Sequence, residues 1–536
     1  MNDALDQVYA YHDTSKHRFD AYAPGPEFLD WSDQPNPFRR FSGAPLLELP
    51  LLETPPTPSF QDLFHTPKQS ADLDLSTLSS LLQFAFGLAA WKQYGDQRWS
   101  LRCNPSSGNL HPTEVYILIS GMAAFKSGLY HYAVHEHALE LRCEAETPFA
   151  GLLIAFSSVH WREAWKYGVR AFRYCQHDAG HAYAALQYSA AMQGWHTQML
   201  DQWSDGDIAA ISGLTRSADF ADAEAETPDL ICRLIPGPVL ANTPIHQEPI
   251  RVDRLIQALQ AGHWRGTANR LSSEHIHWPA IEAVSRATEK PRTGALRNDT
   301  RVEHVRLPLN CPEPAAAIIR QRRSAQAYDG ATQISSEQLY RMLDATLPHH
   351  DGPPFQNWPW APRIHLALFI HRVKDLTPGL YLFCRSDAAV AALRTELRAE
   401  FEWLKPNQCP ETLNFFRLMA ANAKNTAKRL SCHQAIAADS SFSLGMIADV
   451  ETTLSATPWA YRQLFWESGM IGQALYLEAE AAGYGATGIG CFFDDPVHEL
   501  IGINKRRWQS LYHFTVGGAV FDTRIQTLEA YAHLAR

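Results

Sequence analysis

Three short segments of this 536-residue chain carry residue types that suit ligand binding, although they lie far apart in the sequence. The first, residues 102–112, reads Arg-Cys-Asn-Pro-Ser-Ser-Gly-Asn-Leu-His-Pro. Its small polar residues expose backbone N–H groups and hydroxyls, which suit hydrogen bonds to the edge of a polar planar ring. The alternative interpretation is an ordinary turn before a strand.

The second segment, residues 322–328, reads Arg-Arg-Ser-Ala-Gln-Ala-Tyr. Two guanidinium groups followed by a hydroxyl match the hydrogen-bonding needs of a phosphate. A solvated basic patch is the alternative interpretation of the same residues.

The third segment, residues 483–493, reads Gly-Tyr-Gly-Ala-Thr-Gly-Ile-Gly-Cys-Phe-Phe and matches the pattern G-x-G-x-x-G. A dinucleotide-binding fold needs a strand before this pattern and a helix after it. Here an Ala- and Glu-rich helix is predicted before it and a β-like stretch, 490–493, after it, so we reject the dinucleotide interpretation. We expect the glycines to let the backbone approach a flat ligand.

A cluster of histidines has residue types that could bind a metal. Residues 175–181 read Cys-Gln-His-Asp-Ala-Gly-His, which puts His177 and His181 on one helix face. Because no further ligand is evident, we predict no metal site and favour helix capping by Asp178 and aromatic packing.

Lys166 beside Tyr167 could lower the tyrosine pKa and create a proton acceptor. Adjacent helical residues do not face each other, so a structural role is the alternative.

Composition excludes several classes of protein. The net charge is −10 and the pI is about 6.2, so neither nucleic acid nor an anionic membrane is an expected partner. No apolar run approaches the roughly 20 residues of a membrane span, and residues 1–19 hold no apolar signal-peptide core. Nine scattered cysteines without a C-x-x-C motif indicate free thiols in a reducing compartment, so we expect a cytoplasmic protein.

The order of predicted elements occurs twice, after an irregular, proline-rich arm at residues 1–74. The first half, 75–240, is predicted to contain a helix at 75–88, strands at 114–120 and 128–132, and a buried helix at 179–199. The second half, 306–536, is predicted to contain a helix at 335–343, strands at 361–370 and 379–383, and an Ala-rich helix from 467. Residues 241–305 are the expected connector. This order indicates a diverged internal duplication of an α+β unit, with chance similarity as the alternative.

Together these segments resemble the nitroreductase superfamily of FMN-dependent α+β homodimers, over residues 75–240 and 310–525. The branch that the sequence resembles is that of the SagB-type dehydrogenases, which include azoline oxidases. The resemblance implies an FMN phosphate site at Arg322, Arg323, Ser324, Gln326 and Arg524, although Gln326 stands where the family has a cation. It implies a flavin-ring wall at Gly488, Ile489, Gly490 and Cys491, and a loop from the other subunit at Arg102, Pro105, Ser106, Ser107 and Asn109.

The Lys166-Tyr167-Gly168 sequence resembles a motif of the same branch. The resemblance implies that Lys166 and Tyr167 are catalytic and remove a substrate proton while hydride passes to N5 of FMN. We therefore expect an FMN-dependent dehydrogenase or oxidase of a small-molecule or peptide-derived substrate. The alternatives are an NAD(P)H-dependent nitro or quinone reductase, in which this pair is structural, and a flavin-less scaffold or partner protein in a biosynthetic complex.

The resemblance also implies how the two halves fit together. In a fused duplication the halves form an intramolecular pseudo-dimer with two composite sites. One site would have all its loops; the other would have residues 355–360 (Phe-Gln-Asn-Trp-Pro-Trp) in place of P-S-x-x-N and residues 195–198 in place of the glycine loop. The basic segment available to this incomplete site, Arg39-Arg40-Phe41, lacks a serine at the position that Ser324 has after Arg322 and Arg323. We therefore expect about one FMN per chain, with further oligomerisation left open.

Overall fold

The computed structural model describes residues 2–52, 58–65, 69–237, 250–294, 304–349, 352–455 and 457–534. Within them, helices and antiparallel sheets alternate in a mixed α/β fold, and no helix there has the length and apolarity to cross a membrane. The helices are α1 (Asn2–Thr14), α2 (Leu75–Ala85), α3 (His160–Tyr167), α4 (Ala171–Met192), α5 (Asp205–Ile211), α6 (Val252–Gln260), α7 (Pro279–Ala287), α8 (Ala315–Gln321), α9 (Ser336–Asp344), α10 (Asp387–Glu396), α11 (Lys424–Leu430), α12 (Ile436–Asp439), α13 (Val450–Leu454), α14 (Ala460–Ala481) and α15 (Asp494–Ile501).

The strands are β1 (Phe41–Ser42), β2 (Leu46–Glu48), β3 (Leu88–Tyr94), β4 (Gln97–Arg102), β5 (Thr113–Ser120), β6 (Gly128–Ala133), β7 (Ala138–Glu144), β8 (Gly151–Ser158), β9 (Trp195–Met199), β10 (Thr227–Pro236), β11 (His263–Trp264), β12 (Thr267–Ala268), β13 (Ala327–Tyr328), β14 (Ile364–Ile370), β15 (Gly379–Cys384), β16 (Asn414–Ala420), β17 (Phe442–Asp449), β18 (Gly485–Ile489), β19 (Trp508–Gly517), β20 (Ala519–Val520) and β21 (Gln526–Leu528). Most of them belong to two large antiparallel sheets.

The two large sheets repeat one strand order. The first runs β7-β6-β5-β8-β10-β9, with β11 and β2 added at β7, and the second runs β16-β15-β14-β17-β19-β18. In each sheet the central strand is buried on both faces. Along β5, Val115 and Ile117 face the main core while Tyr116 and Leu118 face a second cluster. Alternation of this kind follows from the two-residue period of a strand.

The longest helices, α4 and α14, have 22 residues each and pack against each other between the sheets. Glycines make the close approach possible on both sides. A Cβ at Gly180 would lie 2.2 Å from the Trp466 carbonyl oxygen, and a Cβ at Gly469 would lie 2.2 Å from that of His177. This reciprocal contact joins the two halves of the chain through their cores.

Several predicted elements have different ends in the structure. The helix predicted from Leu75 ends at Ala85, and its N-cap Asp74 accepts from the Thr77 N–H at 2.8 Å. The helix predicted at 179–199 is α4, which begins at Ala171; its last five predicted residues form β9 after Gly194, whose φ is +72°. Likewise α14 begins seven residues before 467, because aromatic residues continue the apolar period without a helix breaker.

Other expectations were wrong in kind. Residues 2–14 form α1 rather than part of an irregular arm, because Val8 and Tyr11 share one face and are buried in the main core. The predicted connector contains α6, α7 and two short strands, one of which extends the first sheet; its residues 241–249 and 295–303 lie outside the described part of the chain. The β-like stretch 490–493 is not a strand, since the strand is β18 at 485–489.

Candidate active site

A cavity of about 790 Å³ is lined by residues from both halves of the chain. Its wall brings together three segments that are up to 380 residues apart: the loop after β4, the end of α8, and the end of β18. The predicted cofactor residues on this wall are Arg102, Pro105, Ser106, Ser107, Asn109, Arg322, Arg323, Ser324, Gln326, Gly488, Ile489, Gly490 and Cys491. A volume of this size is ordinary for a small-molecule or cofactor site.

The loop after β4 is held by its own side chains. Asn109, in the left-handed region at φ 60°, donates from Nδ2 to the Ser100 carbonyl oxygen at 2.9 Å. The Ser106 hydroxyl accepts from the His111 N–H at 2.8 Å. From α4, the Asp178 carboxylate accepts from both the N–H and the hydroxyl of Ser107 at 3.1 Å. The loop is therefore fixed before any ligand arrives.

The basic end of the cavity begins where α8 ends. Arg322 is buried, and its guanidinium lies 5.0 Å from the Tyr476 ring centroid. Burial lowers the pKa of both Arg322 and Arg323. Among the described residues, their hydrogen bonds go to backbone carbonyls, as from Arg322 to the Arg102 oxygen at 3.3 Å, and Arg322 Nε has no partner there. A buried and a half-buried cation without a hydrogen-bonded carboxylate in the described part of the chain favour an anionic ligand at this end.

Ser324 lies beside the same cations. Its hydroxyl is 2.8 Å from the Tyr476 hydroxyl, which also accepts from the Gly488 N–H at 2.9 Å. Tyr476 on α14 therefore ties the basic segment to the glycine segment.

The glycines of the third segment serve the protein's own packing. A Cβ at Gly488 would lie 2.0 Å from the Tyr512 hydroxyl, and one at Gly490 would lie 2.3 Å from the Tyr174 ring. From the sequence, we expected these glycines only to let the backbone approach a ligand. In the structure they also make room for two tyrosines of the cavity wall.

Tyr167 lies on the cavity wall, whereas Lys166 does not. The tyrosine hydroxyl contacts the loop after β4, because a Cβ at Gly108 would be only 2.5 Å from it. Burial, together with the charge of Glu163 and the neighbouring Tyr174, raises the pKa of Tyr167 well above its usual value. Of the two interpretations of this pair, a lowered tyrosine pKa does not fit the structure, since the Lys166 ammonium lies 5.4 Å from the ring centroid and burial dominates.

Polar residues that the sequence analysis did not assign to the site also line the cavity: His111, Tyr174, Asp178, His181 and Tyr512. Asp178 lies within α4 and caps no helix, contrary to expectation. Burial raises its pKa to about 7, against the lowering effect of the Ser106 and Ser107 hydrogen bonds. The i, i+4 histidine pattern could have revealed this face of α4, because it marks the right helix turn.

The expected aromatic packing of the histidine cluster is present. The His177 ring stacks on Tyr512 with 4.2 Å between centroids, and His181 Nε2 lies 3.2 Å from the Tyr512 hydroxyl. Within the described residues, the three-residue group with metal-compatible spacing is His304, Asp344 and His349, which does not include this pair.

Arg524 is not part of the cavity wall. Its side chain is 70% exposed and forms an ion pair with Asp522 at 2.7 Å. Its assignment to phosphate binding stays a prediction that the geometry does not favour.

The segments expected at the second, incomplete site contact each other. Asn357 Nδ2 donates to the Thr197 carbonyl oxygen at 2.7 Å, and Trp358 packs on Trp360 with 4.7 Å between ring centroids. Arg39 is fully buried in an ion pair with Glu226 at 3.0 Å.

Comparison with known proteins gives a match in the second half of the chain. Residues 319–518 match the model of the nitroreductase family, which covers less than half of the chain. Over 156 residues the chain is 24% identical to a "putative nitroreductase" of Methanocaldococcus jannaschii, covering 26% of this chain and 75% of that protein.

The fold similarity extends over both halves. A crystal structure of a "putative nitroreductase" from Anabaena variabilis aligns with 96% of this chain and 99% of its own, with a TM-score of 0.68 and 20% identity. The whole chain therefore has the fold of that protein. A "putative nitroreductase" from Exiguobacterium sibiricum, in complex with FMN, aligns with 38% of this chain and 88% of its own, at 18% identity and a TM-score of 0.23.

Proposed function

We propose that this protein is an FMN-dependent oxidoreductase whose one cofactor site lies between two nitroreductase-like halves of the same chain. The observation that carries the proposal is the shared cavity, in which the loop 102–109 of the first half meets the segments 322–326 and 488–491 of the second. The repeated strand order and the reciprocal contact of α4 with α14 support a fused pseudo-dimer. Homodimers form equivalent contacts of this kind between subunits.

The residues present fit FMN. Arg322, Arg323 and Ser324 would hold the phosphate, because within the described residues the two guanidiniums have no hydrogen-bonded carboxylate and Arg322 Nε has no partner. The loops 104–109 and 488–491 would flank the ring system. When bound, FMN would supply the exchange of hydride with a substrate; the protein positions the two and controls protons.

Proton control points to two cavity residues. The raised pKa of Tyr167 keeps its phenolic proton in place at neutral pH, so this hydroxyl is suited to donate a proton rather than accept one. Asp178, with a pKa of about 7, is suited to exchange protons in either direction. Its contact with Ser107 would couple that exchange to the loop that flanks the ring.

The protonation states of these two groups bear on the direction of the reaction. A protonated Tyr167 favours reduction of an acceptor such as a nitro or quinone compound, with NAD(P)H as the electron donor. In the dehydrogenase of the SagB type, Asp178 or the Lys166–Tyr167 pair would take the substrate proton. We place reduction first, because the burial of Tyr167 opposes its ionisation.

Flavin stoichiometry tests the proposal. The purified full chain, saturated with FMN and freed of excess, should release about one FMN per chain on denaturation. A ratio near two would contradict the incomplete second site, and a ratio near zero would support the flavin-less scaffold. Anaerobic reduction of the bound flavin by NADH or NADPH then separates a reductase from a substrate-driven dehydrogenase.

A further inference from the structure

Two of the nine cysteines differ from all the others in exposure. Seven are buried, whereas Cys432 and Cys491 are partly exposed. These two are 59 residues apart in sequence, and hydrogen bonds between segments 430–434 and 491–493 bring them together, as from Gln434 Nε2 to the Cys491 carbonyl oxygen at 3.1 Å. Cys491 also belongs to the wall of the cavity, so small molecules can reach this thiol.

The surroundings of Cys491 favour its thiolate. The His17 Nδ1 accepts from the Ala23 N–H at 2.9 Å, which leaves the ring proton on Nε2, and the His17 side chain hydrogen-bonds to Cys491. The buried guanidinium of Arg170 donates to the adjacent Gly490 carbonyl oxygen at 3.0 Å. The interaction with Cys432 lowers the pKa of Cys491, burial opposes this, and the interaction with His17 and the charge of Arg170 lower the pKa further. The same coupling raises the pKa of Cys432.

The backbone around both cysteines is held in place. Cys432 and His433 are consecutive non-glycine residues in the left-handed region, with φ of 50° and 60°. Such residues are uncommon and persist where neighbouring contacts enforce them. Here Gln434 Nε2 donates to the Cys491 carbonyl oxygen at 3.1 Å, and the Phe493 N–H donates to the Leu430 oxygen at 2.8 Å. The turn thus presents one thiol to the other.

We propose that Cys432 and Cys491 form a redox-active dithiol–disulfide pair that reacts with low-molecular-weight disulfides at the cavity wall. Cys491 is the attacking residue, because it lies on the wall and has the stabilised thiolate. Cys432 is the resolving residue. This activity does not depend on FMN and goes beyond the proposed oxidoreductase function.

The chemistry balances with a disulfide R–S–S–R as the oxidant. The Cys491 thiolate attacks one of its sulfurs, forms a mixed disulfide and expels one R–S⁻. The Cys432 sulfur then attacks the Cys491 sulfur, the mixed bond breaks, and a second R–S⁻ leaves with the proton that Cys432 gives up. Two cysteine thiols lose two electrons, and R–S–S–R gains them to become two thiols. An excess of R–SH reverses the sequence.

The test uses the purified full chain and mixtures of oxidised and reduced glutathione. After equilibration, free thiols are alkylated under denaturing conditions and the peptides are mapped without reduction. We expect a peptide pair linked through Cys432 and Cys491, whose fraction follows the glutathione ratio with one midpoint, while the seven buried cysteines are alkylated. Alkylation of both cysteines at every ratio, or linkage of either to another cysteine, would overturn the proposal.

Two variants separate the roles of the pair. In Cys432→Ser, oxidised glutathione should leave one glutathione bound at Cys491, because the resolving thiol is absent. In Cys491→Ser, Cys432 should react at least about tenfold more slowly, since it loses the activated partner. The matched control is Cys103→Ser, whose residue is buried elsewhere and should leave the linked pair unchanged. Mapping of the unmodified chain decides the question even if a variant fails to fold.

Discussion

Arg170 and Asp494 form a buried ion pair between the two halves of the chain, with 3.0 Å between Nη1 and Oδ2. The other carboxylate oxygen pairs with Arg173 at 2.6 Å. Arg170 also donates to the Gly490 carbonyl oxygen, so the contact that joins α4 to the start of α15 also positions the glycine segment of the cavity. Assembly of the halves and construction of the site therefore depend on the same side chains.

The first prediction concerns this carboxylate. Asp494→Asn leaves two buried guanidiniums without their counter-charge, and breaking a buried pair in this way costs about 3–5 kcal/mol. We expect a clearly lower urea midpoint of unfolding. The control is Asp522→Asn, whose exposed pair with Arg524 should leave the midpoint unchanged. Equal midpoints for Asp494→Asn and the parent chain would show that the pair does not hold the halves together.

The second prediction is a loss of stability above neutral pH. His131 is buried between Glu114 and Glu140, with 3.0 Å from each ring nitrogen to a carboxylate oxygen. Burial alone would lower its pKa, but the hydrogen bonds to Glu114 and Glu140 outweigh it and raise the pKa to about 9. This stability is complete below the unfolded pKa near 6.5 and is lost as pH rises through 9.

The measurement is the denaturant midpoint between pH 6.5 and 9.5. His131→Gln should be less stable at pH 6.5 and should have a flatter pH profile, because it has no charge to lose. The difference between the two profiles should be on the order of 3 kcal/mol. Parallel profiles would mean that His131 does not carry the charge in the folded protein.

Sequence patterns predicted the parts of the cavity because each part is local. The segments 102–109, 322–326 and 488–491 were recognised from residue type and spacing, and the structure brings all three to one wall. Strands such as β5 and β14 followed from their apolar runs. The repeated order of elements could be recognised by comparing one half of the sequence with the other.

Burial and the ends of helices could not be predicted from the sequence. Helix α4 begins eight residues before the predicted position. Asp178 was therefore expected to cap this helix, whereas it lies within the helix and lines the cavity. The adjacent Lys166 made a lowered pKa of Tyr167 one of two interpretations, whereas desolvation depends on residues remote in sequence and raises this pKa. Helix α1 was missed because its polar residues outnumber the few that it buries.

The third prediction concerns the phosphate end of the cavity. Arg322→Ala removes a charge-assisted hydrogen bond worth about 1.5–3 kcal/mol, so FMN affinity should fall roughly 10- to 150-fold. Riboflavin, which lacks the phosphate, should bind the parent chain and the variant alike. Both affinities can be followed by quenching of flavin fluorescence.

Arg524→Ala is the matched control for that measurement. Its exposed side chain lies outside the cavity wall, so we expect unchanged FMN affinity, although the family resemblance implies a phosphate contact. Weakening by Arg524→Ala and not by Arg322→Ala would contradict the assignment of the phosphate to Arg322.

The last prediction uses Tyr167 to separate the two directions of reaction. If its phenol donates a proton during reduction, Tyr167→Phe should retain FMN and still be reduced by dithionite, yet reduce a quinone with NAD(P)H about 10²–10⁴-fold more slowly. Lys166→Ala should stay close to the parent chain, because this side chain is not on the cavity wall. If instead both variants keep quinone reduction and lose only the oxidation of a substrate, the pair acts as the base of a dehydrogenase. Loss of flavin from Tyr167→Phe would mean that the ring, packed against Gly108 and 4.6 Å from the Tyr174 centroid, only supports the loop.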